Sequence, residues 1–247
     1  MKEFTIDINC DVGEGVGNEA AIFPYISSCN IACGGHAGDL ESMKEIVQLA
    51  ILHNTRIGAH PSYPDKANFG REVMDIPDHA LIQSIKNQLS AFYEVLDELG
   101  GTLHHIKPHG ALYNQIAKDE WLAEVFLKAV EEYRTTTILY APFNSIIAQK
   151  ASDQGWKLWY EAFADRNYNP DLSLVSRKDE KALIRQPKEV LNHVLPIIKE
   201  AKVKSVSGEF HKIKADTLCV HGDTASALEI LMYLSKELPN HQVQIQQ

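Results

Sequence analysis

Hydrophobic positions along the chain fall into two alternating kinds of segment. Short runs are rich in β-branched residues, and longer stretches return an apolar side chain every three to four positions. That alternation is the signature of βα units feeding a parallel sheet. Seven runs read as strands: Phe4 to Asn9, Asn30 to Cys33, Arg56 to His60, Leu103 to Lys107, Thr137 to Tyr140, Lys157 to Glu161 and Thr217 to His221. Helical period fits Asp39 to Asn54, Asp119 to Tyr133, Phe143 to Gly155, Pro187 to Lys202 and Thr224 to Lys236, with a kink expected at Pro196. The longest helix is expected to be capped by Asp78 and to carry Leu81, Ile82, Ile85, Leu89, Phe92, Leu96 and Leu99 on one stripe, stopping at Gly100-Gly101. Residues 164–181 are polar and read as a long loop. Seven short parallel strands with no evident switch in order favour a closed or nearly closed β/α barrel over an open doubly wound sheet. No repeat, low-complexity tract or linker breaks the pattern, so one α/β domain over residues 1–247 is expected.

Composition narrows the class. With 247 residues, 45% hydrophobic and 23% charged, the chain has the core of one such barrel. A formal net charge of -9 with scattered Lys and Arg speaks against a nucleic-acid groove, which needs clustered cations. No apolar run reaches the roughly 18 to 20 residues of a membrane span, and Met1 leads straight into Phe4 to Ile8 rather than a signal sequence, so a cytoplasmic protein is expected. Cys10, Cys29, Cys33 and Cys219 lack the paired spacing of a structural zinc site and read as reduced packing residues.

The candidate chemistry lies at the strand ends, where barrels place catalytic groups. Asp7, Asn9 and Asp11 share one side of an extended strand, as do His105, Lys107 and His109, and both triplets are expected to face the barrel mouth. Other strand ends bring His36, His60, Glu161 with Asp165 beyond it, and His221 with Asp223. Asp39 is most simply a helix cap, Asp7 a partner for interior hydrogen bonds, and Asp223 a cap for the last helix. His53, His79, His193 and His241 fall on helices or the surface, whereas His36, His60, His109 and His221 recur at equivalent places in successive units. Lys107, inside an apolar run, needs a carboxylate partner or a substrate anion. Gly13, Gly15 and Gly17 lack the Lys-Ser/Thr of a phosphate loop and the dinucleotide spacing, and no GxSxG elbow occurs. Acid/base or metal chemistry is left.

Six blocks carry a resemblance: Asp7-Ile-Asn-Cys-Asp-Val-Gly-Glu-Gly15, Asn30-Ile-Ala-Cys-Gly-Gly-His-Ala-Gly-Asp39, Gly58-Ala-His-Pro-Ser-Tyr-Pro-Asp65, Lys107-Pro-His-Gly-Ala-Leu-Tyr-Asn114, Glu161-Ala-Phe-Ala-Asp-Arg166 and Cys219-Val-His-Gly-Asp223. In order and end to end they resemble the LamB/YcsF family. The resemblance implies a distorted TIM-like barrel related to glycoside hydrolases and deacetylases. It also implies ATP-dependent opening of the lactam 5-oxo-L-proline to L-glutamate, by an A subunit working with 5-oxoprolinase subunits B and C. Gly35 stands where the family usually has an aromatic residue, Asn68 where it has Gly, Glu72 where it has a second Arg, and the Gly and Pro usual before Arg177 are missing.

The expected roles combine both readings. Asp11, His60 or Glu161 is the general base, His109 the proton donor to the ring nitrogen, and Lys107 or Arg71 an anion clamp. Asn9, His36, Asp165, Arg166, His221 and Asp223 are expected around the substrate. ATP is a cosubstrate without a recognisable site in this sequence. Two other readings stand beside this one. A metal-dependent deacetylase or glycan-directed hydrolase would use Asp11 with His36 and His60, or His109, to ligate a divalent ion. A non-catalytic scaffold subunit is disfavoured by so many ionisable groups at one mouth.

Overall fold

The computed structural model describes residues 3–222 and 226–246. Along the chain run β1 (Phe4–Val12), α1 (Glu19–Ile22), β2 (Ser28–Ala32), α2 (Leu40–Leu52), β3 (Arg56–His60), α3 (Asp78–Leu99), β4 (Leu103–Ile106), α4 (Gly110–Ile116) and α5 (Glu120–Val130). They continue as β5 (Ile138–Pro142), α6 (Ile146–Asp153), β6 (Lys157–Phe163), α7 (Pro187–Glu200), β7 (Lys202–Lys204), β8 (Phe210–Lys212), β9 (Thr217–Val220), α8 (Ala227–Glu237) and β10 (Val243–Ile245). Strands β1 to β6 and β9 pair in order, all parallel, and β9 also pairs with β1, closing a seven-stranded barrel. The expected closed barrel is therefore the observed one. β10 adds to the first half of β1, and β7 and β8 form a separate antiparallel hairpin.

Local chemistry sets the element ends. Asp39 caps α2 in a reciprocal capping box with Ser42, as the sequence suggests. Asp78 does not cap α3. Pro77 takes that position and makes no side-chain cap, because its ring carries no hydrogen-bonding atom, while the Asp78 carboxylate accepts from the indole of Trp121 at 2.9 Å. Five of the seven stripe residues of α3 are buried, with Ile82 and Leu99 partly so, and Gly100 ends the helix in the left-handed region at φ 69°. α7 carries Pro196 within it and ends at Glu200, not Lys202, with Ala201 as its left-handed cap.

Inside the barrel, inward polar side chains form layers. At the bottom, Asp7 accepts from Ser28 Oγ at 2.7 Å, from Thr217 Oγ1 and from Arg56 at 3.0 Å, the interior role expected of it. Above it, Gly58 has no Cβ, and the His105 ring of β4 fills that space to reach Asn30 Oδ1 at 2.7 Å. Asn30 donates onward to Asn9 Oδ1 at 2.7 Å and Asp11 Oδ1 at 2.8 Å. Only the third layer, with Asp11 and Lys107, reaches the mouth. The two triplets do share one side of their strands, but they span the depth of the barrel instead of all meeting at its rim.

Candidate active site

Lys107 follows the last residue of β4, and its ammonium sits among acceptors. Asp11 Oδ1 is 2.8 Å away, Glu161 Oε1 2.9 Å, Cys219 Sγ 3.1 Å and Asn9 Oδ1 3.3 Å. All of these residues are buried. Burial works against the lysine's charge, but Asp11, then Cys219 and Glu161, hold its pKa well above the usual range. Burial likewise opposes ionisation of Asp11, and Lys107 followed by His60 overcomes it, holding that carboxyl well below its ordinary value. An ammonium has three donors, and Asp11, Cys219 and Asn9 take them. Lys107 thus lines the cavity as a buried counter-charge to Asp11 and Glu161.

Glu161 is differently placed. Among the described residues neither of its oxygens accepts a well-aligned hydrogen bond. The 2.9 Å approach of Lys107 is a charge contact outside hydrogen-bond geometry. Glu161 and Asp11 both line a cavity of about 1020 Å3 at the barrel mouth. A buried carboxylate in the cavity wall, with unspent lone pairs and beside a fixed cation, can take a proton from a water bound against it.

The second group is imidazole. His60 Nδ1 donates to the Lys107 carbonyl at 2.7 Å, and its Nε2 lies 3.0 Å from His109 Nδ1 and 3.5 Å from Asp11 Oδ2. His36 stacks on His109 with centroids 3.6 Å apart, and Glu14 Oε1 lies 3.0 Å from His36 Nε2 and 3.4 Å from His109 Nδ1. The β3–α3 connection folds over these rings. Phe69, at φ 56°, turns its carbonyl to accept from His109 Nε2 at 3.0 Å. Gly70 follows at φ 60°, where a Cβ would meet His36 Cβ at 2.9 Å. His109 therefore spends its N–H on a backbone carbonyl, and burial, then His36 and His60, push its pKa well below the imidazole range. This corrects its expected role: in this state His109 carries no spare proton for a leaving group.

A better proton carrier stands across the cavity. His221 Nδ1 lies 2.9 and 3.1 Å from the two oxygens of Asp165, and the Asp165 carboxylate also accepts from the His221 backbone N–H at 3.2 Å. Burial opposes the charge on Asp165, yet His221 keeps its pKa below the ordinary value. This is the orienting carboxylate–imidazole arrangement of acid/base catalysis. His221 lines the cavity, and Asp165 is fully buried behind it.

Arg166 lines the same cavity but is engaged with the backbone carbonyls of Val175, at 2.6 Å, and Ala182, so it pins the cavity wall. Arg71 lines the rim, its guanidinium 4.7 Å from the Phe69 ring centroid, together with Lys118, Arg177 and Lys178. Asn9 does not reach the cavity. It is fully buried under Lys107, bonded to Thr217 and Asn30, so its expected substrate contact is corrected to support. Asp223 lies outside the described residues. Sequence reading missed Glu14, which it gave no role, and Cys219, which it read as packing. The signal for Glu14 was a lone carboxylate between Gly13 and Gly15, both at positive φ, directly after a strand that ends in the site.

Comparison with known proteins agrees with these features. The LamB/YcsF family profile matches residues 6–247. A Bacillus cereus protein named as the A component of 5-oxoprolinase is 39% identical over 247 residues, covering 98% of either chain. The protein of the same name from Shouchella clausii is 42% identical over 245 residues, with 97% of either chain covered. Among solved structures, a lactam utilization protein from Thermus thermophilus superposes with a TM-score of 0.91 at 32% identity, covering 98% of this chain and 99% of that one. With its sequence blocks, its barrel and nearly its whole length matched, this chain belongs to the LamB/YcsF family.

Proposed function

We propose that the chain is the ring-opening A component of a 5-oxoprolinase, which hydrolyses the cyclic amide of 5-oxo-L-proline to L-glutamate in an ATP-dependent assembly with subunits B and C. The names of its relatives support the reaction class, and one observation on this chain carries the reading. Glu161 is a buried carboxylate in the cavity wall, charge-paired to Lys107, with no aligned hydrogen bond to either oxygen among the described residues. That is the environment a general base needs to activate water against an amide carbon.

A five-membered lactam is resonance-stabilised, and phosphorylation of its oxygen makes the carbon a better electrophile. Water then adds as Glu161 takes its proton. The developing charge lies near Lys107, and His221, held by Asp165, delivers a proton to the ring nitrogen as the C–N bond breaks, leaving the freed carboxyl as an acyl phosphate. A second water hydrolyses that acyl phosphate to glutamate and inorganic phosphate. Arg71 and Arg177 on the rim suit the substrate's carboxylate and the phosphoryl group. ATP itself belongs to the partner subunits on this reading, since the Gly13 to Gly17 loop turns the buried carboxylate of Glu14 inward, the wrong charge for a phosphate cradle.

The test follows ATP hydrolysis and glutamate release in parallel in the reconstituted complex. The isolated chain should be nearly inactive, and Glu161→Gln should cut glutamate release by about 10²-fold or more while ATP cleavage persists. Full ATP-independent turnover by the isolated chain would sink the multi-subunit reading. Normal glutamate release by Glu161→Gln would remove that residue from the mechanism.

A further inference from the structure

The hydrogen bonds around His60 and His109 leave a conflict that the chain's own neutral groups do not resolve. A neutral imidazole has one N–H and one lone pair. His60 Nδ1 faces the Lys107 carbonyl at 2.7 Å, so the proton is there and Nε2 holds the lone pair. His109 Nε2 faces the Phe69 carbonyl at 3.0 Å, so its proton is there and Nδ1 holds the lone pair. Those two lone pairs point at one another across 3.0 Å. Glu14 Oε1, a third acceptor, is 3.4 Å from His109 Nδ1 and 3.0 Å from His36 Nε2. Nearby, the carboxylates of Asp11 and Glu161 face the ammonium of Lys107, while the Glu14 carboxylate lies against His36 and His109, all of them in a nearly dry site.

We propose that Glu14, His36, His60 and His109 bind one first-row transition-metal dication of the zinc type. The four donor atoms lie within 4.8 Å of one another. Metal–ligand bonds of about 2.0–2.1 Å set tetrahedral donors roughly 3.3 Å apart, against the 3.0, 3.0 and 3.4 Å between neighbouring donors here. Three imidazoles and one carboxylate form a donor set for zinc, cobalt or manganese, not for calcium or magnesium, which take oxygen ligands. The outer nitrogens of His60 and His109 already donate to backbone carbonyls, the second contact that orients metal-binding histidines. A dication also offsets the excess of carboxylate charge. The site stands apart from the ring-opening reading, because cation binding is measured without substrate.

The experiment uses the full chain, stripped with a chelator and titrated with Co2+ and Zn2+. Calorimetry gives stoichiometry and affinity, visible absorption reports Co2+ coordination, and thermal unfolding is followed with and without Zn2+. The wild type should take up about one ion, show cobalt d–d bands and gain thermal stability with Zn2+. Glu14→Gln and His109→Asn should each weaken binding by about tenfold or more. Their metal-free unfolding temperatures show whether each variant is folded, and Glu14→Gln, the closer isostere, carries the test if His109→Asn is not. His221→Asn should bind as the wild type does, since His221 belongs to the separate grouping of Asp11, Cys219 and His221. No uptake by the wild type, with a proton shared between His60 and His109 seen by NMR instead, would overturn the proposal. Binding that survives Glu14→Gln but disappears in His221→Asn would also overturn it.

Discussion

Replacing Lys107 by Met removes the cation from between Asp11 and Glu161 and leaves both carboxylates buried. At contact distances of 2.8 and 2.9 Å, each pair is worth about 6 kcal/mol at an effective dielectric of about 20. The lysine's own desolvation cost disappears with it, so the net loss is about 3–5 kcal/mol at neutral pH. That is a large share of the roughly 5–15 kcal/mol that holds a typical domain folded. The pH dependence gives a second, independent readout. In the wild type, Asp11 titrates below the ordinary carboxylate value of 3.8 and Lys107 above the ordinary lysine value of 10.5. Asp11 therefore contributes stability that is lost only as pH falls through its depressed folded pKa, and Lys107 contributes stability lost only as pH rises through its elevated one. Between pH 5 and 8 this cluster leaves wild-type stability flat. In Lys107→Met the two carboxylates share a dry site without the ammonium between them, so Asp11, whose carboxyl Lys107 holds low in the wild type, keeps its proton to higher pH. Its destabilisation is then fully present at pH 8 and shrinks as pH falls toward 5. Urea unfolding with chelator present reads both effects. The variant midpoint should lie about 1 M or more below wild type at pH 8, and the gap should narrow by pH 5. An unchanged midpoint at pH 8, or a gap that stays constant with pH, would refute the charge-pair argument.

Periodicity was enough for the barrel because a parallel strand buried on both faces is an apolar run, and a surface helix shows a stripe. The strands lost to that reading are short or use a different logic. β7, β8 and β10 have three residues each and depend on tertiary pairing. The Asp78 error has a similar origin: a good capping residue next to Pro77 loses the position to the proline that fixes the helix start.

In the site, the strand-end rule found Asp11, His60, Lys107, His109, Glu161 and His221, but it gives direction and not depth. Asn9 and Asp11 face the same way, yet two residues along a strand are the difference between a buried support and a cavity wall. Roles were harder still, since they depend on partners no local pattern reveals. His109 has the sequence position of a proton donor, but the Phe69 carbonyl, 40 residues away in sequence, takes its N–H. Glu14 was hidden because glycines on both sides mimic an ordinary turn. The departure at Gly35 has a physical counterpart as well. Gln88 of α3 occupies the space beside it, accepting from Ser62 N at 3.0 Å and donating to Ser62 O at 2.9 Å, so a small residue at 35 and a polar one at 88 belong together.

That coupling predicts that Gly35→Ala, whose Cβ would collide with Gln88 Oε1 and Ser62 Oγ, destabilises the chain by about 1–3 kcal/mol. Gln88→Ala in the same chain should recover part of the loss, and additive effects in thermal unfolding would show that the two sites are independent. The last prediction separates His221 from His109. Asp165 orients His221 Nδ1 and stabilises the charged ring, whereas the His109 proton is tied to Phe69. If His221 protonates the leaving nitrogen, His221→Asn lowers glutamate release in the reconstituted complex by about 10²-fold or more, while ATP cleavage continues. Asp165→Asn, which keeps the ring but removes its charge partner, should impair the same step. A substrate whose leaving nitrogen is already activated should recover much of the rate in His221→Asn, since it no longer needs the proton. Equal loss with both substrates would assign His221 to shape, and the proton would have to come from elsewhere in the cavity.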